Sequence, residues 1–479
     1  MQMTLSECAA IVGGKLIGDD VSFNSVSIDT RAIKPEQLYI AIKGNNFDGN
    51  AFVDQAQQAG ACAAIVHSGV PTNLPHIVVA DTRLALAQLA GAWRRKLNVA
   101  VVGVTGSNGK TTVKEMIAAI LAVNHEVLFT QGNLNNDIGV PLTLLRLDEQ
   151  HRYAVIEMGA NHPKEIEYSS TYAGADVAVI TNAGAAHIAG FNSLDGVAQA
   201  KGEIFQTLGQ NGTAVINRDD VYYDYWRGVV GDRKALSFGL NPKADITING
   251  NIDARIDNNE FITGFKLSCK RDIAKADLNE FVRCFGIADD LVRTDSFDIE
   301  ISLKLAGQHN VVNALAAAAV ALALGISLEQ IKQGLENVKP VTGRLQALVS
   351  RLGNIVIDDS YNANAASLKA GLAVLQTCQG KPWLIFGAFG ELGEDSVKIH
   401  TEMGDIIKAS GVVRLLAIGD DARYTVQAFG EGGTFFDSQE ELINVLTQEL
   451  QGDETLLIKG SRARRMENVA AALVDNFRT

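Results

Sequence analysis

The sequence predicts an α/β protein built as three successive domains, and three observations lead there. With 479 residues the chain exceeds what one hydrophobic core serves, and the usual domain size suggests about three. Short β-branched runs alternate with helical stretches through most of its length, the pattern of parallel strands with helices on both faces. The run Val101-Val102-Gly103-Val104-Thr105-Gly106-Ser107-Asn108-Gly109-Lys110-Thr111-Thr112 carries a strand through a glycine-rich turn into a helix.

Residues 1–98 mix strands at 38–42, 63–66 and 77–79 with helices at 51–59 and 84–96, a small N-terminal α/β domain. From 99 to 340 strands are expected at 99–104, 126–130, 153–158, 177–181 and 213–217, separated by helical sequence that includes 113–123. Over 242–304 the rhythm gives way to charged alternating segments such as 246–248 and 297–305, read as an antiparallel appendage with a surface excursion at 269–294. Helices at 311–323 and 328–337 close this central parallel-sheet domain, and Pro340 and Gly343 mark its end. Residues 341–479 resume the alternation, with strands at 355–357, 383–386, 415–418, 434–436 and 456–459, a C-terminal Rossmann-like doubly wound domain.

The glycine-rich turn is the sharpest chemical signal. Such a turn points backbone N–H groups inward, sets a lysine beside them and opens a helix whose N-terminus favours anions, which makes a phosphate cradle. The general P-loop spacing requires a glycine at position 104, where Val stands; the chain has T-G-x-x-G-K-T-T instead. In that shorter form Gly106 and Gly109 make the turn, Lys110 reaches β- and γ-phosphate oxygens, and the Thr111 hydroxyl ligates Mg²⁺. Thr105, Ser107, Asn108 and Thr112 complete the nucleotide-contacting run, and the central domain reads as a P-loop ATPase.

A formal charge of −13 argues against a nucleic-acid surface. Cys8, Cys62, Cys269, Cys284 and Cys378 show no C-x-x-C spacing, so neither a disulfide framework nor a zinc site is expected. Residues 1–10 lack the basic and apolar regions of a secretory signal, and the most apolar stretch, 314–325, is too short to span a bilayer. A soluble cytoplasmic protein is expected, without membrane insertion, and nothing demands more than a monomer.

Other constellations gather at strand ends. Glu157, in Glu157-Met158-Gly159-Ala160-Asn161-His162, stands where a nucleotide-bound Mg²⁺ sits; a surface carboxylate closing a strand is the alternative. His187 and Lys201 follow the next strand and are, residue by residue, as readily structural as functional. Asn310 and Asn313 share a helix side and suit either an adenine edge or ordinary helix-start polarity. Arg344 suits a γ-phosphate and Asp359 ribose hydroxyls, each against an even chance of a structural role.

Taken together, 105–112, Gly132-Asn133-Leu134-Asn135-Asn136-Asp137-Ile138-Gly139-Val140-Pro141, 157–162, 182–187, Lys201-Gly202-Glu203, His309-Asn310, Gly343-Arg344, 359–364 and Lys459-Gly460-Ser461-Arg462 resemble the Mur ligase family over essentially the whole chain. The runs at 135–141 and 157–162 are similar to the member that adds a dipeptide. The resemblance implies an ATP-dependent amide ligase that activates the carboxylate of a UDP-N-acetylmuramoyl-tripeptide (UDP-MurNAc-tripeptide) as an acyl phosphate and joins D-alanyl-D-alanine (D-Ala-D-Ala) to it.

It further implies two Mg²⁺ ions, held by Thr111, Glu157, His187 and a carbamylated Lys201. Nucleotide contacts would come from Asn182, Asn310, Asn313, Arg344 and Asp359, and catalysis would rest on Lys110, His187, Lys201 and Arg344. Ser27, Asp29, Arg31, Lys43, Asp48, Asn135, Asn136 and Ser461 would meet the other substrates. By this resemblance 1–98 binds the UDP-sugar, 99–340 the ATP and 341–479 the acceptor dipeptide.

Departures from the family pattern fall away from the phosphate loop: Asn50 where histidine is common, Ala365 after Asn362-Ala363-Asn364 where proline is expected, and Gly387-Ala388-Phe389-Gly390-Glu391 without an Asp-Met pair. A folylpolyglutamate synthetase-like ligase shares the ATP domain but leaves the N-terminal domain and 135–141 unexplained. A nucleotide-switched binding protein would lack an amine-acceptor site in the third domain.

Overall fold

The computed structural model describes residues 1–44, 47–184, 188–257, 260–270, 273 and 296–474. Among them the chain forms three larger sheets in succession, each with helices packed on it, and a two-stranded antiparallel sheet of Met3–Thr4 and Ser22–Phe23 in the N-terminal unit.

The first sheet orders its strands Lys15–Ile17, His76–Val79, Ala63–His67, Gln37–Ile40 and Ser25–Ser27, with Lys15–Ile17 antiparallel to its neighbour and the other pairs parallel. The short strands Lys15–Ile17 and Ser25–Ser27 escape sequence reading because each is three residues long and carries no apolar run. The expected helix at 51–59 splits into a 3-10 turn, Gly49–Phe52, and a short α-helix, Val53–Gln58. The helix Thr82–Lys96 is capped by Asp81, whose carboxylate accepts from the N–H groups of Arg83 and Leu84. Its Leu86 and Leu89 join one core with Val101 and Ile156, so the first unit is packed onto the second.

The second sheet is built on Ala100–Thr105, flanked by the parallel strands His151–Glu157 and Val177–Ile180. Alternation along Ala100–Thr105 sends Val101 to one core and Val102 and Val104 to the other. The second core is roofed by the helix Lys110–Leu121 and the alanine-rich helix Gln308–Ala323, whose small side chains let the two helices lie close. A parallel strand at Lys234–Phe238 was not expected. Beyond it Ile246–Ile248 pairs antiparallel with Glu260–Lys270, which pairs in turn with Ser296–Leu303. The segment expected as an appendage therefore continues the central sheet through the Phe238–Ile246 pairing. Most of the 269–294 excursion lies outside the described residues.

The third sheet runs Gln346–Val349, Ile355–Asp359, Glu454–Lys459, Lys381–Gly387, Arg414–Ile418 and Gly433–Phe436, parallel except for its first strand. Ile357, Leu384 and Leu457 pack on one face and Val356, Ile385 and Leu456 on the other, as a doubly wound sheet requires. No helix among the described residues is long and apolar enough to cross a membrane.

Candidate active site

The loop 105–110 leaves the buried end of Ala100–Thr105 with φ +148° at Gly106 and +81° at Gly109. Both are left-handed conformations that favour glycine. A Cβ on Gly109 would lie 2.5 Å from Asn313 Oδ1, and one on Gly106 would collide with Thr181 Oγ1. The neighbouring strand end clamps the loop. Asn182 Oδ1 accepts from Asn108 N–H at 3.0 Å, its Nδ2 donates to the Asn108 carbonyl at 3.1 Å, and Thr181 Oγ1 donates to that same carbonyl at 2.6 Å. Ser107 Oγ sits between the Gly184 carbonyl and N–H. Lys110 folds back onto the Gly106 carbonyl at 2.8 Å. Burial lowers its pKa, Glu157 opposes that, and Arg344 adds to it.

This loop forms one wall of a cleft of about 880 Å³ that Glu157, Lys201, Arg344 and Asp359 also line. Glu157 is buried: Asn135 Nδ2 donates to its Oε1 at 2.8 Å, Thr130 Oγ1 accepts from its N–H at 2.9 Å, and Oε2 has no partner. A bare carboxylate oxygen beside the Lys110–Thr111 helix start suits a cation. Among the described residues no cluster of three or more His, Cys, Asp or Glu could hold a metal alone. Mg²⁺ suits such a place, since it takes one or two carboxylates together with waters and phosphate oxygens.

Lys201, 3% exposed, lies with Nζ 5.8 Å from the Phe191 ring centre. Burial, reinforced by the Lys110 charge, pushes its amine down to about 7. Its neighbour Glu203 accepts from the N–H groups of Lys164 and Glu167 and thereby caps the helix Glu165–Ala173. His187 lies outside the described residues.

From the turn that leads into the third sheet, Arg344 Nη2 donates to Thr111 Oγ1 at 3.2 Å while its guanidinium stacks 4.4 Å from the Tyr361 ring centre. Asn364, the N-cap of Ala365–Leu375, donates from Nδ2 to Asn108 Oδ1 at 2.9 Å. Asp359 is opposite Lys459 in the sheet and takes its ammonium at 2.5 Å. Lys459 belongs to a motif named above, but it had no role there; a lysine ending the fully buried strand Glu454–Lys459 was its only signal.

Several expected contact residues are committed within the protein. Thr105 Oγ1 donates into the sheet, to the Met158 carbonyl. Asn310 Nδ2 donates to the Ala306 carbonyl and Asn313 Nδ2 to Asn310 Oδ1. Asn136 Oδ1 accepts from Gly139 N–H and opens the helix Gly139–Leu144. Ser461 Oγ donates to the buried Ala388 carbonyl.

In the N-terminal unit Asp29 takes the Arg31 guanidinium with both oxygens, and Ser27 Oγ donates to the Asp29 carbonyl. Asp48 caps the turn at Asn50, and Lys43 bridges to Asp48 through its backbone. These residues do not line the cleft. They connect to it through Arg83, which donates to the Lys43 carbonyl and pairs with Asp137 at 2.9 Å, two residues from Asn135.

A clamped glycine-rich loop, a buried carboxylate and an arginine from the turn before the third sheet define a P-loop nucleotide-binding protein whose cleft lies between its second and third sheets. Profiles of the Mur ligase family match in chain order: the family's catalytic domain at 22–94, the middle domain at 104–321 and the glutamate ligase domain at 343–462. The chain belongs to the Mur ligase family. It is 40% identical to the UDP-N-acetylmuramoyl-tripeptide--D-alanyl-D-alanine ligase of Escherichia coli (strain K12), covering 99% of each chain, and 37% identical to that of Haemophilus influenzae, covering all of both. Among solved structures it is similar to a MurF from Acinetobacter baumannii (TM-score 0.87, 32% identity, 99% of each chain). It is also similar to the Thermotoga maritima MurF ligase in complex with ADP (TM-score 0.79, 26% identity, 94% of this chain and 96% of that one).

Proposed function

We propose that this chain is an ATP-dependent amide ligase that joins D-Ala-D-Ala to UDP-MurNAc-tripeptide. The muramoyl-peptide carboxylate attacks the γ-phosphorus of ATP and ADP leaves; the dipeptide amine then attacks the acyl phosphate and phosphate leaves. The observation that carries the reading is the full-length likeness to ligases of that name together with a cleft that sets Lys110, Glu157, Lys201 and Arg344 around one phosphate loop.

The loop N–H groups and Lys110 hold the phosphates, and Arg344 offsets charge as two anions converge. Thr111 and Glu157 would hold a first Mg²⁺; a second would rest on His187 and on Lys201 once carbamylated, which turns a cation into a carboxylate. Bound Mg²⁺ supplies charge screening between phosphate and carboxylate. Lys201 suits carbamylation because only a neutral amine adds CO₂, and burial keeps a large share of it neutral near pH 7.

Asn135 orients Glu157, Asn182 holds the loop, and the Asn310–Asn313 pair buttresses Gly109 and presents its remaining amide atoms to the nucleotide base. We assign 1–98 to the UDP-sugar through the turns at Ser27–Arg31 and Lys43–Asp48, 99–340 to ATP, and 341–479 to the dipeptide. A monomer working in the cytoplasm, where ATP is supplied, completes the reading.

Phosphate release from ATP tests it: release should require both D-Ala-D-Ala and UDP-MurNAc-tripeptide, with the meso-diaminopimelate and lysine tripeptides compared. Equal release with glutamate and a folate overturns the assignment.

A further inference from the structure

The turn that follows the central strand of the third sheet holds a cation without a role in the proposed reaction. Arg464 ends the 3-10 turn Arg462–Arg464, just after the strand Glu454–Lys459. Its side chain starts against the carboxyl end of Lys381–Gly387 and brings its guanidinium to that of Arg414–Ile418. A Cβ on Gly419 would fall 2.7 Å from Nε and 2.9 Å from Cζ, and a Cβ on Gly387 would fall 2.9 Å from the Arg464 Cβ. Bare backbone is what admits it. Carboxyl ends of the strands are where open α/β sheets bind ligands.

Arg464 Nε is buried without a hydrogen-bond partner, and its guanidinium makes no ion pair among the described residues. The other cations nearby are engaged: Arg462 pairs with Glu467 at 3.0 Å and Lys459 with Asp359. The facing wall is fixed, because Phe389 N–H donates to His400 Nε2 at 3.1 Å and holds the chain that leaves Gly387.

We infer that Arg464 receives the terminal carboxylate of the acceptor and so selects a dipeptide over a single amino acid; this rests on the reading of D-Ala-D-Ala as acceptor. Lys459, at the cleft, lies on the strand next to Lys381–Gly387 and two from Arg414–Ile418. Strand spacing puts Arg464 about 5–10 Å from it across the sheet, and an extended dipeptide spans about 7 Å. A dipeptide with its carboxylate on Arg464 keeps its amine at the cleft. A single amino acid, half as long, cannot do both.

The test compares D-Ala-D-Ala with its C-terminal amide as acceptors, for the wild type, Arg464→Met and Arg464→Lys, at saturating ATP and UDP-MurNAc-tripeptide. Wild type should prefer the free acid by about 10- to 100-fold in kcat/KM, the range for a hydrogen bond to a charged group. Arg464→Met should lose that preference through a raised dipeptide KM while its KM for ATP and its melting temperature stay put, and Arg464→Lys should keep part of it. A Met variant with the wild-type ratio of acid to amide overturns the inference. A wild type that uses neither dipeptide overturns the acceptor assignment, and the role of Arg464 with it.

Discussion

Arg344 and Thr111, 233 residues apart, meet through a hydrogen bond from Nη2 to Oγ1 at 3.2 Å, which brings a guanidinium from the turn before the third sheet to the first turn of the phosphate-loop helix. The bond is single and only part-buried, so its share of stability is about 1 kcal/mol. On the proposed function its electrostatic share in phosphoryl transfer is larger. Arg344→Met should lower kcat by about 100-fold and move the melting temperature little; an unchanged kcat removes Arg344 from the reaction.

Lys110 makes the same point from the other wall. Its ammonium rests on the Gly106 carbonyl, a contact the loop does not need, because Asn182, Thr181 and Ser107 already hold it. Lys110→Ala should keep the fold by circular dichroism and melting while turnover falls by at least about 100-fold. Wild-type rates in that variant discard the loop assignment.

Asp359 and Lys459 form a buried pair whose halves depend on each other. Lys459 is 1% exposed, so removing the carboxylate strands a buried charge, which costs about 3–5 kcal/mol. Asp359→Asn should unfold at markedly lower denaturant, and Asp359→Asn with Lys459→Met should recover most of that loss. Additive losses in the double variant show that the pair is not coupled.

The physical signals that sequence carries explain what was legible. Ala100–Thr105 and its parallel neighbours are buried on both faces, so they appear as unbroken apolar runs, and the glycines at 106 and 109 stand where the turn demands left-handed backbone. Roles that depend on a distant partner were hidden. Nothing near Asn182 says that both amide atoms serve Asn108, and nothing near Asp359 says that a lysine 100 residues on faces it. Asn135 and Asn136 are adjacent and alike, yet one orients Glu157 and the other starts a helix. Short strands such as Ser25–Ser27 offer no apolar pattern, and Lys234–Phe238 passes as charged surface because it opens on a lysine that follows Asp232 and Arg233.

Lys201 gives a prediction with a definite sign in pH. Its amine titrates near 7 in the fold against about 10.4 in an unfolded chain. Between those values the unfolded state binds more protons, so in CO₂-free buffer wild-type stability should rise with pH from about 7 towards 10. Lys201→Met should flatten that rise and be relatively more stable at the low end of the window. Added bicarbonate should place one carboxyl mass on the wild type, favoured as pH rises through 7, and none at this position in Lys201→Met. Short carboxylates should restore part of the turnover lost in Lys201→Ala. A pH-independent difference between wild type and Lys201→Met contradicts the buried, neutral amine; absence of both the added mass and the rescue leaves Lys201 a structural residue.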